Sequence, residues 1–170
     1  YYSQGGADMK DRISKTAKLG YDIGTANAYQ PTGSMIVTAV KTRLAHAGVR
    51  HLLPQSQEWN DVAPEDIPIS QRDLMVTWHS LPTTVMRQLN SWNVPIPAAE
   101  SAAFLHLWQV AAHMLGIRDE YIPASWSEAD SQADEVLDPI LAPTPEGIAL
   151  ADILLGLGRE IDAGLLTKPI

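Results

Sequence analysis

AAESAAFLHLWQVAAHMLGI, residues 98–117, is the stretch on which the fold class turns. Eighteen residues from Ala98 to Leu115 contain no proline or glycine and are rich in Ala and Leu, which favour helix. Gly116 stands where a helix C-terminus calls for a left-handed residue. The same grammar recurs on both sides. A first helix is expected from Asp8 to about Ala26, weakened by Gly20 and Gly24. A second runs from Met35 to about Leu53, capped by Thr32 or Ser34 and stopped by Pro54, with Ile36, Val40, Leu44, Ala47 and His51 near one stripe. Gln55 to Pro68 reads as a surface loop. Ser70 caps a helix with Asp73 in its first turn, and Pro82 should kink it by removing a backbone donor. A shorter acidic helix lies near Trp126 to Leu137, and the last begins at Thr144 with Pro145 at its first position. Alternating strands are absent. The pattern predicts an all-α bundle of about six helices in a single unit.

Bulk properties exclude several classes of function. The chain has 170 residues, no cysteine and a net charge of −8. Disulfides, thiolate zinc sites and thiolate haem ligation are therefore ruled out. The longest apolar run, IALADILLGLG, is interrupted by Asp152 and too short for a bilayer, so no membrane insertion is expected. No secretory signal is visible, which leaves the compartment open. Charge is uneven: residues 1–51 hold seven basic and three acidic side chains, leaving five basic and seventeen acidic beyond. An acidic chain of this kind is a poor nucleic-acid binder. It has no phosphate-binding glycine loop, no Gly-x-Ser-x-Gly elbow and no His-Glu-x-x-His motif. The acidic pairs Glu65/Asp66 and Asp119/Glu120 read as solvated.

Two clusters remain as candidate chemistry. Arg12, Lys15 and Thr16 fall at i, i+3 and i+4 and share one helix face. His46 and His51 lie in TRLAHAGVRHLL, residues 42–53. A basic, hydrogen-bonding face opposite a histidine-bearing helix could hold an anionic, metal-containing cofactor. His46 and His51 are about 140° apart around a helix, so at most one of them ligates a given ion. A lone helical histidine is ordinarily a packed residue, yet imidazole is also the usual haem ligand in helical folds. Lysine loses its proton readily when desolvated and can then act as a ligand; its ordinary place is on a solvated face. His106 and His113, seven apart, are expected to be buried or boundary residues. His79, just before Pro82, is expected to give its ring N–H to the carbonyl that the proline frees.

The stretches KTRLAHAGVRHLLP, IPISQRDLMVTWHSLPTTVM and VPIPAAESAAFLHLWQVAAHMLGI resemble the latex clearing proteins, haem b rubber oxygenases of actinobacteria. The resemblance runs over nearly all of the chain. It implies a globin-like helical core holding one haem b. It also implies dioxygenase-type cleavage, with O2, of the double bonds of cis-1,4-polyisoprene. The products would be oligo-isoprenoids with aldehyde and ketone ends. Arg12, Lys15 and Thr16 match the family's Arg-x-x-Lys-Thr motif, and His46, thirty residues beyond Thr16, matches the proximal iron ligand. Lys15 would be the distal iron ligand of a closed, substrate-free state. Arg12 and Thr16 would contact bound oxygen or the haem edge, and His51 and His79 would support the haem pocket. The polymer would lie in an apolar channel lined in part by later Trp, Leu and Met residues. The family's acidic residue upstream of the motif is not in this chain, and members are longer at both ends and secreted. Residues 1–170 are therefore expected to be a haem-binding core truncated at both ends, monomeric and impaired in turnover by itself. The alternatives are a related haem oxygenase acting on another prenyl chain, and a non-catalytic helical haem-binding fragment.

Overall fold

Glycine, proline and side-chain caps set the helix boundaries. The structure, a computed structural model, describes the backbone of residues 9–161, and side chains from Lys15 to Arg159 apart from Leu157. Among the described residues there are eight α-helices and no strand: α1 Met9–Ile23, α2 Ser34–Leu52, α3 Gln57–Val62, α4 Gln71–Trp78, α5 Thr84–Ser91, α6 Ala98–Leu115, α7 Trp126–Val136 and α8 Pro145–Ile161. The chain is all-α, as expected. One compact unit is Thr16–Pro139, and the described residues on either side of it belong to a second.

α6 ends as its sequence requires. Gly116 takes φ 96°, its N–H and that of Ile117 return to Ala112 O, and Ile117 folds back into the core. α4 begins with a reciprocal cap, in which the Ser70 hydroxyl accepts from Asp73 N and the Asp73 carboxylate accepts from Ser70 N. α7 is capped by Ser125 and α8 by Thr144, whose hydroxyl accepts from Gly147 N at 3.0 Å.

Three boundaries differ from expectation. α1 passes Gly20 unbroken and ends at Ile23. α2 is entered through Gly33, without a side-chain cap. A Cβ at Gly33 would sit 2.1 Å from Ala28 O, because Ala28 O already takes the N–H groups of Met35 and Ile36. That close approach selects glycine over a capping Thr or Ser. The expected loop after Pro54 contains α3, started by the Ser56 hydroxyl accepting from Trp59 N.

Pro82 does not simply kink its helix. Residues His79–Thr83 form a π-turn that joins α4 to α5. One wider turn absorbs the missing proline N–H, and Thr84 Oγ1 donates to His79 O at 3.0 Å.

Two apolar clusters make the core of the Thr16–Pro139 unit. One joins α4, α6 and α7 through Leu74, Trp78, Leu105, Ala112, Ile117 and Ala129. The other joins α1, α2 and α6 through Ile23, Met35, Ala39 and Ala111, with Ala28 from the intervening turn. Trp108 packs against both. Its backbone carbonyl accepts Trp78 Nε1–H at 2.9 Å, so the indole's polar edge is satisfied inside the core. Alanines at the contacts let helices approach closely. The α2 stripe expected to be core is instead largely exposed: Val40 is 54% and Leu44 68% exposed.

Candidate functional site

α2 divides its two histidines between faces. His46 lies with Met35, Ala39 and Thr42 on the inner side, whereas His51 is on the outer side and exposed. His46 is half-buried, and its Nδ1 is buried without a hydrogen-bond partner. Desolvation, with a smaller repulsion from the Arg50 guanidinium, holds the ring below the usual histidine pKa. The imidazole is therefore neutral near pH 7, the form able to ligate a metal.

Arg50, one turn beyond His46, grips the backbone with a fork: Nε and Nη2 donate to Ile69 O at 3.0 and 2.7 Å. Ile69 needs that hold. Its φ is 52°, a left-handed conformation that costs a β-branched residue about 1–3 kcal/mol. Its side chain also packs onto the core around Trp78.

Arg12, Lys15 and Thr16 all fall within α1 at the expected spacing. The Arg12 side chain lies outside the described residues, and Lys15 and Thr16 are exposed. Nearly two turns on from Thr16, Asp22 is buried and joins α1 to α2. Its Oδ2 accepts from Lys18 Nζ and from Thr38 Oγ1, both at 2.5 Å. The Lys18 and Thr38 hydrogen bonds keep its carboxyl below the ordinary value against the opposing effect of burial. Sequence reading passed over Asp22, because nothing local marks a carboxylate whose partner lies sixteen residues away.

His79 is 1% exposed and structural in its contacts. Its Nδ1 pairs with Thr83 Oγ1 at 3.0 Å rather than with a carbonyl freed by Pro82. The π-turn places Thr83 one turn ahead on the same side, which supplies a nearer partner. Burial lowers the ring's pKa; the Gln132 amide and Asp130 oppose this and Arg87 adds to it. Arg87 ties α5 to α7 by donating to Asp130 Oδ1, Asp130 O and Asp134 Oδ1.

His106 and His113 are both exposed, contrary to expectation. They face away from the two clusters that α6 covers with Leu105, Ala111 and Ala112, and His113 Nδ1 meets Asp119 Oδ1 at 2.6 Å. No three imidazole or carboxylate groups gather at a metal-binding distance among the described residues, and none of their helices is long and apolar enough to cross a membrane.

Residues 4–169 match the family model described as ER-bound oxygenase mpaB/B′/Rubber oxygenase, catalytic domain. The chain belongs to this family. It is 64% identical over 171 residues to the rubber oxygenase of Streptomyces sp. (strain K30), an alignment covering 100% of this chain and 42% of that protein. It also superposes with a TM-score of 0.81 on the structure of latex clearing protein LCP in the closed state, at 64% identity, over 95% of this chain and 44% of the other. The chain thus spans less than half the length of these relatives.

Proposed function

We propose that this chain is the haem-holding part of a rubber oxygenase, with His46 as the iron ligand. The observation that carries the reading is the His46 ring: half-buried, neutral, with an unpaired Nδ1, on a helix of a chain 64% identical to a rubber oxygenase. These residues fit a haem. A neutral imidazole can offer one nitrogen to iron, and an orphaned buried Nδ1 is released from competing bonds. Haem b would supply the iron at which O2 is activated for cleavage of a carbon–carbon double bond.

The chain's own residues have separate tasks in this reading. Desolvation around His46 keeps its ring unprotonated and so ready to bind. Lys15 would be a second iron ligand in a closed state, and Arg12 and Thr16, spaced with it along α1, would hold O2 or the haem edge. His51 and His79 support the pocket, His79 by fixing the π-turn through Thr83. The substrate is cis-1,4-polyisoprene, an apolar polymer taken up without charged contacts, and the products are oligo-isoprenoids with aldehyde and ketone ends. Polyisoprene is met outside the cell, which favours secretion in this reading; action as a monomer is a separate part of the proposal. A second reading, a related oxygenase acting on another prenyl chain, draws support from the family description, which names mpaB beside rubber oxygenase. Product analysis on latex against a soluble prenylated compound separates the two.

Haem titration of the wild type and His46→Ala tests the reading. The wild type should give a stoichiometric Soret band, and His46→Ala should lose it. A normal haem spectrum in His46→Ala would remove His46 as the ligand. Lys15→Ala should keep haem and let added imidazole bind it more readily, read as a shift of the Soret band.

A further inference from the structure

The chain has five tryptophans and a single phenylalanine, and they are not spread evenly. Trp78, Trp108, Trp126 and Phe104 gather where α4, α6 and α7 meet, whereas Trp59 and Trp92 lie outside that cluster. Phe104 stands between two of the indoles. Its ring centroid is 6.2 Å from that of Trp108, edge to face, and 6.0 Å from that of Trp126, stacked at 21°. Both are direct ring contacts. Trp108 also packs against the other core cluster, to which α2 contributes Met35 and Ala39 from the side that carries His46. The run of rings therefore starts against the inner side of α2 and ends at Trp126, which is half-buried at the start of α7. Indole is among the most readily oxidised side chains and a phenyl ring is not, so Trp108 and Trp126 are stations for an electron and Phe104 is the bridge. α7 carries Glu128, Asp130, Asp134 and Glu135 and no basic residue, and Arg87 from α5 offsets only part of that charge. Positive charge is thus stabilised on the Trp126 ring. Trp126 Nε1–H donates to Ser101 O at 3.1 Å; a carbonyl takes no proton, so the indole can lose an electron and keep its N–H. Neighbouring Tyr121 is a poorer end point, because the Arg118 guanidinium lies 5.4 Å from its ring centroid and disfavours positive charge there.

We propose that Trp108 and Trp126, bridged by Phe104, form an electron relay that discharges an oxidant left at the haem when no substrate is present, drawing electrons from a small reductant at the protein surface. The inference rests on the haem reading and goes beyond it, by giving an oxygenase interior a second outlet for oxidising equivalents. With hydrogen peroxide as the oxidant and ascorbate as the reductant the step balances. Peroxide takes two electrons through the relay and two protons from solvent and leaves as two waters. Two ascorbates each return one electron to oxidised Trp126 and release one proton to solvent.

The test treats the haem-loaded chain with hydrogen peroxide and no ascorbate, in the presence of nitroso-tert-butane, which adds to ring-carbon radicals. Peptide mass spectrometry then maps the adduct. The wild type should carry it on Trp126. Oxidant escaping into solvent would mark residues by exposure instead, with Trp92, 67% exposed, first among the tryptophans. Trp108→Phe should lose most of the Trp126 adduct. As a second readout, Trp108→Phe and Trp126→Phe should each lose the Soret band to excess peroxide faster than the wild type, and ascorbate should protect the wild type more than Trp126→Phe. Trp92→Phe should bleach like the wild type. A circular-dichroism melt of each loaded variant separates lost folding from lost electron transfer, and if Trp108→Phe fails to fold, bleaching of Trp126→Phe decides. An adduct on Trp92 in place of Trp126 overturns the proposal, as does a Trp126 adduct that survives in Trp108→Phe or unchanged bleaching in Trp126→Phe. Haem binding without any Trp126 adduct removes the relay and leaves the haem reading standing. If the folded wild type binds no haem, the haem reading falls and takes the relay with it.

Discussion

Mild acid should destabilise the chain through His79, and the size of the loss follows from linkage. His79 is 1% exposed, and both it and His46 have pKa values pushed below the ordinary 6.5 by burial. As pH falls, the unfolded chain takes up these protons before the folded chain does. Stability is thus fully present above about 6.5 and is lost as pH falls below it, until the depressed folded values are reached. The limiting slope for one histidine is about 1.4 kcal/mol per pH unit. Between pH 7.5 and 5.5 His79 alone can therefore remove up to about 1.4 kcal/mol, a drop in Tm of roughly 3–6 °C for a chain of this size. Urea unfolding followed by far-ultraviolet circular dichroism at half-unit pH steps measures this. His79→Asn keeps a polar atom near Nδ1 for Thr83 but cannot titrate. It should cost about 1–3 kcal/mol at pH 7.5, because the smaller side chain leaves a void where the buried ring packs. Its stability should then depend less steeply on pH below 6.5 than that of the wild type. An identical pH slope in His79→Asn and wild type would refute the idea that this buried ring takes up its proton only on unfolding.

Two further outcomes test the joint between α1 and α2. Gly33→Ala should lower stability by about 1–3 kcal/mol, because the new Cβ would meet backbone oxygens at 2.1 and 2.3 Å that cannot move cheaply; an unchanged urea midpoint would contradict that close approach. Asp22→Asn should weaken the hold of Thr38 and Lys18, lower stability at neutral pH and speed amide exchange in residues 16–23. Because the Asp22 pKa is lowered in the folded state, its contribution is present above about 3.8 and lost as pH falls below it, so this variant should also resist acid better in relative terms.

The amino-acid sequence by itself determined the helices and most of their ends. Ser70 with Asp73, Ser125, Thr144 with Pro145 and Gly116 act through bonds within one turn, so their chemistry is complete in a few adjacent residues. It also determined that His46 and His51 part company, since helix pitch alone separates them. The blocks around His46, Pro82 and residues 94–117 were enough to place the chain in its oxygenase family. Tertiary structure decided what covers each face. Periodicity put Val40 and Leu44 on one stripe of α2 but could not say that this stripe is exposed while Met35 and Ala39 are buried. Nor could it say that His113 points to Asp119 and solvent. Only the fold brought Asp22 to Thr38, Arg50 to the strained Ile69 and Arg43 beside it onto one cavity. Those contacts join residues far apart in the chain, and their energies depend on which helix faces pack together. A helix's own sequence fixes its caps and its period, but burial, pairing and pKa are set by its neighbours.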